Sequence, residues 1–362
     1  MIRSSALALT AGAAAALAHP PFGVLPGLFG YGLLLALSDR PDPLRPLRSA
    51  FWRGWLAGSA YFLIGCWWVA QAFLVDAAKQ GWMAPFAILI LAGGLGLFWG
   101  GACLAYAWFK PENPLWKALV FAGTLSAAEW LRGHVFTGFP WNLPGETWAA
   151  GSAPSQTAAL VGAYGLTWLT LVIAAGLSAP IAIGRSRHSI MTACACALAL
   201  AGLYGFGLTR LAYAQSTAPD APLLRIVPAD IPQKMLESPA SFELILSRYL
   251  RLTARPAPDR PAIVIWPEGA LPISANDTLS GQSWVSMAIA RALGPDQLLL
   301  MGAYRIAGAP PAAQYFNSLL AVRRQGEGLT LTTLYDKHRL VPFGESAFVV
   351  APFALLGMPG FT

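Results

Sequence analysis

The sequence predicts an N-terminal multi-spanning α-helical membrane domain over residues 1–215, followed by an α/β domain over residues 216–362. Two observations predict the first part. Hydrophobic residues make up 56% of the chain and charged residues 11%, whereas soluble domains contain about 25% charged residues. Residues 1–215 also contain only twelve Lys/Arg and six Asp/Glu, while the shorter remainder contains twelve and eleven. A third observation, alternating strand-like and helix-like segments after residue 216, predicts the α/β part.

The apolar segments of the first part predict about seven membrane-spanning helices. A spanning helix needs about 20 predominantly apolar residues, and shorter ones are tolerated. The segments are Ser5–Ala18, Phe22–Leu37, Ala50–Phe73, Ala84–Phe109, Leu115–Leu131, Leu160–Ile183 and Ser189–Leu208. His19-Pro20-Pro21 separates the first two, because no helix continues smoothly through that sequence. The first segment also resembles a cleavable signal peptide that ends at Ala18. Six further segments follow it, and they favour a retained helix.

The charges between these segments predict the orientation of the chain. With the N-terminus in the cytoplasm, nine Lys/Arg face the cytoplasm and three face the other side, which agrees with the positive-inside rule. An odd number of crossings then places the α/β domain on the outer, periplasm-like side. The net charge of +7 lies mostly in the membrane half. It therefore indicates orientation and argues against a nucleic-acid partner.

The four cysteines, Cys66, Cys103, Cys194 and Cys196, all lie in apolar segments. We expect them to be small buried hydrophobic residues, a common role for free cysteine. Their spacing does not match a zinc or redox motif. The sequence therefore predicts no metal site and no cofactor.

After residue 216, five apolar segments have the length and composition of strands: 223–229, 262–268, 298–304, 316–322 and 331–337. The stretches 238–254 and 281–293 predict helices between them. This order predicts a sheet that helices cover on at least one face.

Glu268 ends the apolar segment "AIVIWPE" and is a candidate general base. Ligands of α/β sheets collect where strands end. A carboxylate that is partly desolvated there has a raised pKa, which suits it to accept a proton. The alternative is a glutamate that caps the following turn.

The second candidate segment is "YDKHRLVPFGE", residues 335–345, directly after a strand. It contains Lys337 and Glu345. A lysine beside a carboxylate can stabilise a developing oxyanion as a fixed positive charge. The alternative is a solvated, charged turn.

The membrane half contains three further candidates. Glu129 lies late in the fifth segment, where an ionisable group is a functional candidate, although an ion pair with Arg132 explains it equally well. Trp141 and Trp148 belong to the Gly/Pro/Trp-rich stretch "GFPWNLPGETW", residues 138–148. We expect this stretch to be a non-helical outer loop at the bilayer surface.

Several of these motifs together resemble a known family. "WPEGALP" around Glu268, "YFNSLL" around Asn317 and "YDKHRLVPFGE" around Lys337 are similar to segments of the nitrilase superfamily. Combined with the membrane helices, and with "IPQK" at 231–234 and "FPWNLPGETW" at 139–148, they resemble the apolipoprotein N-acyltransferase family. The resemblance implies an αββα sandwich for the second domain, incomplete in residues 216–362.

The resemblance also implies an activity and its residues. The family transfers an acyl chain from a phospholipid to the N-terminal diacylglyceryl-cysteine of a bacterial lipoprotein, through a thioester. By this similarity, Glu268 is the general base, Lys337 stabilises the oxyanion, and Glu345 and Asn317 support the site. The implied location is the bacterial inner membrane, with multiple passes and the C-terminal domain in the periplasm. The implied partners are the phospholipid acyl donor, the apolipoprotein acceptor and the bilayer.

One feature of the family is not found in these 362 residues. The family's nucleophilic cysteine follows the Glu345 segment by several tens of residues, in a Cys-Tyr-Glu context, whereas the sequence ends at Thr362. We therefore expect a fragment without the nucleophile, inactive alone. A membrane-anchored nitrilase-like amidase and a non-catalytic lipoprotein-binding scaffold are the alternative functions.

Overall fold

The structure, a computed structural model, describes residues 2–74, 77–214, 218, 220–236, 238–280, 283–309, 313–338 and 340. Contacts divide the chain into two compact units. We call residues 2–214 the helical unit and residues 218–340 the sheet unit, and each is described by itself.

In the described residues, seven helices of 11 to 26 residues form the helical unit, one in each of the predicted apolar segments. They are α1 (Ile2–Leu17), α2 (Phe29–Asp39), α3 (Pro46–Gly65), α4 (Ala84–Phe109), α5 (Pro114–Arg132), α6 (Ala158–Ala182) and α7 (Arg187–Ala212). A short helix spans Ala77–Gln80. Short 3-10 segments span Leu25–Leu28, Trp67–Leu74, Gly81–Met83, Val135–Thr137, Pro144–Thr147 and Pro154–Thr157.

Not all seven helices are long and apolar enough to cross a membrane. Among the described residues, three helical stretches meet that requirement by length and composition, namely Ala77–Phe109, Pro154–Ala182 and Arg187–Ala212. A fourth is possible if the bent pair α3 and Trp67–Leu74 forms one span. The helix α5 contains three charged residues, Lys117, Glu129 and Arg132, and α1 and α2 are short, with 16 and 11 residues.

Two predicted segments differ from the observed helices. The segment Phe22–Leu37 was predicted as one helix, but turns occupy its start and α2 begins only at Phe29. The predicted helix Ala50–Phe73 is also wrong as a continuous element. It ends at Gly65 and continues, after a bend of 51°, as the 3-10 stretch Trp67–Leu74. Hydrophobicity predicted the apolar extent of both segments but contains no information on these bends.

Small residues allow the helices of this unit to approach closely. A Cβ atom at Gly12 of α1 would lie 1.8 Å from the carbonyl oxygen of Ala57 in α3. A Cβ atom at Gly58 of α3 would lie 2.9 Å from the Cα atom of Gly96 in α4. Such small-residue contacts are typical of helix packing in membranes. The helix α1 thus packs directly against α3 in the helical unit.

Five strands form one mixed sheet in the order β1-β2-β3-β4-β5. They are β1 (Leu224–Ile226), β2 (Ile263–Ile265), β3 (Leu298–Ala307), β4 (Gln314–Gln325) and β5 (Gly328–Asp336). The strands β1, β2 and β3 are parallel, whereas β3, β4 and β5 are joined as antiparallel neighbours. The carboxyl ends of β1 and β2 therefore share one edge of the sheet, and their amino ends share the other.

The five strands lie where the sequence predicts them, although β1 and β2 are shorter and β3, β4 and β5 longer than predicted. The helices α8 (Phe242–Thr253) and α9 (Trp284–Ala292) fall within the two predicted helical stretches. Short helices at Gln233–Leu236 and Ala275–Leu279, and a 3-10 turn at Pro239–Ser241, complete the unit.

The two faces of the sheet differ in burial. One face packs against the helices and contains the core residues Val264, Leu299, Met301, Leu320 and Val322. The other face exposes large apolar side chains, and by register these include Leu224, Ile226, Tyr304, Leu319 and Tyr335. Helices thus cover one face of the sheet, while the opposite face is partly open in the described part of the chain.

Candidate active site

Glu268 lies just beyond the carboxyl end of β2. The backbone N–H of Trp266 continues the sheet by donating to the carbonyl of Leu300 over 2.8 Å. The buried indole of Trp266 donates to the hydroxyl of Thr253 over 2.9 Å. Gly269 then adopts φ +60°, a left-handed conformation that favours glycine. A buried tryptophan before Glu268 and a tight turn after it thus fix the position of this residue.

Gly302 of β3 allows the backbone of Glu268 to approach the sheet. A Cβ atom at this position would lie 2.5 Å from the Cα atom of Glu268 and 2.8 Å from the carbonyl oxygen of Pro267. The backbone of Gly302 also exchanges hydrogen bonds with the turn, accepting from Ala270 N at 3.2 Å and donating to Pro267 O at 3.3 Å. Sequence analysis did not identify Gly302. Its only sequence signal is a glycine within a strand, which often marks such a close approach.

Three of the predicted site residues meet at one carboxylate oxygen. The Lys337 ammonium lies 3.0 Å from Oε1 of Glu268, and the Asn317 amide nitrogen donates to the same oxygen. Asn317 belongs to β4, and its carbonyl accepts from the backbone N–H of Lys337 over 2.8 Å. Asn317 of β4 thus contacts both Glu268, which follows β2, and Lys337, which follows β5. We call Glu268, Asn317 and Lys337 the Glu268 cluster.

A second set of polar side chains supports the end of β5 immediately before Lys337. It consists of Asp336, Arg305 and Ser318, and we call it the Asp336 group. Asp336 accepts hydrogen bonds from Arg305 over 2.7 Å and from Ser318 over 2.6 Å. The Arg305 guanidinium also lies 4.3 Å from the ring centre of Phe316. The hydrogen bond from Arg305, and then that from Ser318, lower the pKa of the Asp336 carboxyl. This group fixes β5 against β3 and β4, so it also fixes the backbone that presents Lys337.

The expected burial of Glu268 is not observed. Its side chain is 64% exposed, and that of Lys337 is 29% exposed. The expectation rested on the apolar segment before Glu268, but the residue lies beyond the end of β2, in the turn at the edge of the sheet. Its charge is stabilised by a neighbouring ammonium and an amide, and much of the carboxylate surface is accessible to another molecule.

The arrangement suits acyl-transfer chemistry, but the described residues of the sheet unit include no cysteine to act as the nucleophile. A carboxylate can accept a proton, and an ammonium can stabilise an oxyanion. All four cysteines belong to the helical unit, where Cys66, Cys103 and Cys196 are buried. Cys194 is exposed, so its predicted burial is wrong. The helix α7 turns this residue away from the helices packed against it.

Glu345 lies outside the described residues. Among the described residues, no group of three or more His, Cys, Asp or Glu has a geometry that could bind a metal ion.

Glu129 forms a buried ion pair with Arg132 within the helical unit. Both side chains are 0% exposed. Arg132 Nε donates to Glu129 over 2.8 Å, and the indole of Trp99 donates to the other carboxylate oxygen over 2.6 Å. Arg132 also donates to the carbonyl of Phe139, the residue that precedes Pro140 in the loop of residues 138–148. The ion pair that the sequence offered as an alternative is therefore present, and it attaches the loop to the helices.

The two tryptophans of the loop differ in exposure. Trp148 is only 7% exposed, and its indole N–H donates to Thr170 of α6 over 2.9 Å. The polar N–H of Trp148 thus has a partner within the helical unit. Trp141 is 37% exposed and packs against Phe139 and Trp68. As expected, the loop is mostly non-helical, with the 3-10 turn Pro144–Thr147.

The buried network of Glu129 predicts a large stability effect. Glu129→Leu leaves the Arg132 charge buried without its partner, and such a loss costs about 3–5 kcal/mol. We expect a lower midpoint of thermal unfolding in detergent, measured by tryptophan fluorescence. Adding Arg132→Leu should restore part of the loss, because the unpaired charge is removed. The exposed Glu112→Gln serves as the control, and a midpoint for Glu129→Leu equal to the control's would contradict the network's importance.

The Asp336 group predicts a pH-dependent stability. The pKa of the Asp336 carboxyl is lower in the folded state than the value of about 3.9 in an unfolded chain. The carboxylate therefore contributes to the stability of the fold at pH values above about 3.9. The contribution is lost as the pH falls through the lower, folded-state pKa. We expect Asp336→Asn to increase hydrogen exchange of the β4–β5 amides at neutral pH. The variant should also show a weaker acid dependence than the native chain.

The exposed Asp259 provides a matched control for this measurement, since Asp259→Asn removes the same charge from a loop. Identical pH dependence of amide exchange in the native chain and in Asp336→Asn would contradict the stabilising role of this group.

Comparison with known proteins agrees with the sequence motifs. The family model described as "Apolipoprotein N-acyltransferase N-terminal domain" matches residues 11–176. A protein of Caulobacter vibrioides named apolipoprotein N-acyltransferase is 58% identical over 343 residues, which are 94% of this chain and 63% of the relative. The proteins of the same name from Allorhizobium ampelinum and Agrobacterium fabrum are each 35% identical. These matches cover 95% and 94% of this chain, and 65% and 64% of the relatives.

The chain thus spans about two thirds of the length of these relatives, with coverages of 63–65%. Their names, together with the apolar helices of the helical unit, support a membrane protein. From the family match and the similarity along nearly its whole length, the chain belongs to the apolipoprotein N-acyltransferase family.

Proposed function

We propose that this chain forms most of a phospholipid-to-apolipoprotein N-acyltransferase of the bacterial inner membrane. The enzyme transfers an acyl chain to the N-terminal diacylglyceryl-cysteine of a lipoprotein. Residues 1–215 form the membrane domain of about seven helices, and residues 216–362 begin a nitrilase-like domain on the periplasmic side. The nine-to-three distribution of loop cations supports this orientation.

The Glu268 cluster is the observation that most strongly supports the proposal. Glu268, Asn317 and Lys337 are separated by 49 and 20 positions in the sequence. The amide of Asn317 and the ammonium of Lys337 nevertheless both contact one carboxylate oxygen of Glu268. A glutamate that merely caps a turn does not require a lysine from the end of another strand. A solvated charged turn does not require Lys337 to reach back to β2.

In the proposed reaction, the Glu268 carboxylate accepts the proton of a cysteine thiol. The sulfur attacks the ester carbonyl of the phospholipid, and Lys337 stabilises the oxyanion that forms. Collapse of this intermediate breaks the ester bond, and the proton returns from Glu268 to the departing lysophospholipid oxygen. The amine of the lipoprotein then attacks the thioester and gives a proton to Glu268. The carbon–sulfur bond breaks, the acyl group stays on the nitrogen as an amide, and the proton returns from Glu268 to the departing sulfur. The cysteine lies outside residues 1–362 in this proposal.

The open face of the sheet supports a nitrilase-like interpretation of the second domain. Exposed Leu224, Ile226 and Leu319 form the kind of apolar surface on which a second sheet packs. In an αββα sandwich, that second sheet would cover this face. Glu345 would support the site, and Trp141, Trp148 and Glu129 would position the outer loop near the lipid substrates. Holding both substrates at the membrane replaces rare encounters by local ones.

The proposal predicts that Glu268 and Lys337 are needed for acyl transfer. In the protein purified from its own membranes, Glu268→Gln should reduce the rate by about 10²–10⁴-fold, the usual contribution of a general base. Lys337→Met should reduce it by about 10²–10³-fold, as expected for an oxyanion stabiliser. The rate is measured by mass spectrometry, as acylation of a diacylglyceryl-cysteine peptide in vesicles of phosphatidylethanolamine.

Glu327→Gln is the matched control, because it also removes an exposed carboxylate that pairs with a cation, here Arg291 at 3.2 Å. Native rates in both cluster variants would favour a non-catalytic scaffold. Hydrolysis of small amides without any transfer from phospholipid would favour a membrane-anchored amidase. Either result would overturn the proposal.

A further inference from the structure

A basic cavity of about 470 Å³ lies at the edge of the sheet opposite to Glu268. The amino ends of β1, β2 and β3 meet at this edge, and the helices α8 and α9 end there. Five arginines line the cavity: Arg225, Arg255, Arg260, Arg291 and Arg324. They come from four separate segments of the sequence, so the fold, and not a local run of charge, brings them together.

The floor of the cavity is built from fixed backbone. Gln297 is 6% exposed and connects two loops, since its amide donates to Pro261 O over 2.6 Å and accepts from Gly294 N over 2.7 Å. The side chain of Arg260 lies over Gly294, where a Cβ atom would be 3.1 Å from the guanidinium carbon. Arg225 donates to the carbonyl of Thr253. These contacts position the side chains of Arg225 and Arg260 at the cavity.

The positive charge of the cavity is only partly neutralised. Within the described part of the chain, one of the five arginines forms an ion pair. This is Arg291 with Glu327, whose side chains are 69% and 71% exposed. Arg324 donates to the backbone carbonyl of Gly326 over 3.1 Å. Arg255 and Arg260 form no ion pair with a described carboxylate. The cavity thus has an excess of exposed guanidinium donors.

Helix capping explains part of this arrangement. Cations near the end of a helix are stabilised by its dipole, and Arg255 and Arg291 lie at the ends of α8 and α9. Arg260 and Arg324 lie in a loop and at the end of β4, so capping does not account for them. Convergence of guanidinium groups is the usual way in which proteins bind phosphate, because each group can donate two parallel hydrogen bonds.

We propose that this cavity binds a phosphate-bearing anion. The chemistry is shared by a lipid headgroup and by a free phosphate compound. The proposal is separate from the acyl-transfer site and does not depend on its function.

The test uses the full chain in nanodiscs of phosphatidylcholine and measures binding of inorganic pyrophosphate by calorimetry. We expect Arg255→Ala combined with Arg260→Ala to weaken binding at least tenfold. The control combines Arg248→Ala with Arg251→Ala, which removes the same charge from a part of α8 that does not line this cavity, and its affinity should stay within twofold of the native value. An unchanged unfolding midpoint in both double variants excludes loss of the fold as the cause.

Soluble headgroups distinguish the two sources of phosphate. Tighter binding of glycerophosphoglycerol than of pyrophosphate supports a lipid headgroup, and the reverse order supports a free phosphate compound. Equal losses of affinity in the two double variants would overturn the proposal, because only general attraction to positive charge would remain. Absence of binding to the native chain at millimolar anion concentrations would also overturn it and leave helix capping as the explanation.

Discussion

A single carboxylate oxygen of Glu268 accepts hydrogen bonds from both the ammonium of Lys337 and the amide of Asn317. This contact depends on the register of three strands, since a shift of one residue in β4 would turn Asn317 to the opposite face of the sheet. It also depends on Gly302, whose missing side chain leaves space for the backbone of Glu268. The Asp336 group then holds the last residue of β5 in place. The geometry of the cluster is therefore a property of the whole sheet, not of one loop.

Much of this architecture could be predicted from the sequence, because it follows from local patterns. Apolar segments with β-branched residues predicted all five strands. The higher density of charged residues after residue 215 separated the apolar first part of the chain from the α/β part. The bends at Phe22–Leu28 and after Gly65 could not be predicted in the same way. Hydrophobicity measures preference for an apolar environment, and it is the same on both sides of a bend.

The site was predictable only in part, for a related reason. Glu268 and Lys337 stand out because each is a charge directly after an apolar strand. Gly302, Arg305 and Ser318 act through contacts with residues distant in sequence, and only the register reveals these contacts. The exposure of Glu268 was predicted wrongly, because the apolar residues before it suggested burial that the turn does not provide. Glu129 shows the opposite case, since its partner Arg132 is three positions away and the pair could be anticipated locally.

The central claim is that the Glu268 cluster activates a cysteine for acyl transfer. The most direct measurement is the intact mass of the native protein from its own membranes, before and after incubation with phospholipid and without an acceptor. The account predicts that the protein gains one acyl group on a cysteine other than Cys66, Cys103, Cys194 and Cys196, and that hydroxylamine removes this group. Glu268→Gln should prevent this gain. An acyl group on Cys194, or no covalent adduct in the native protein, would contradict the account.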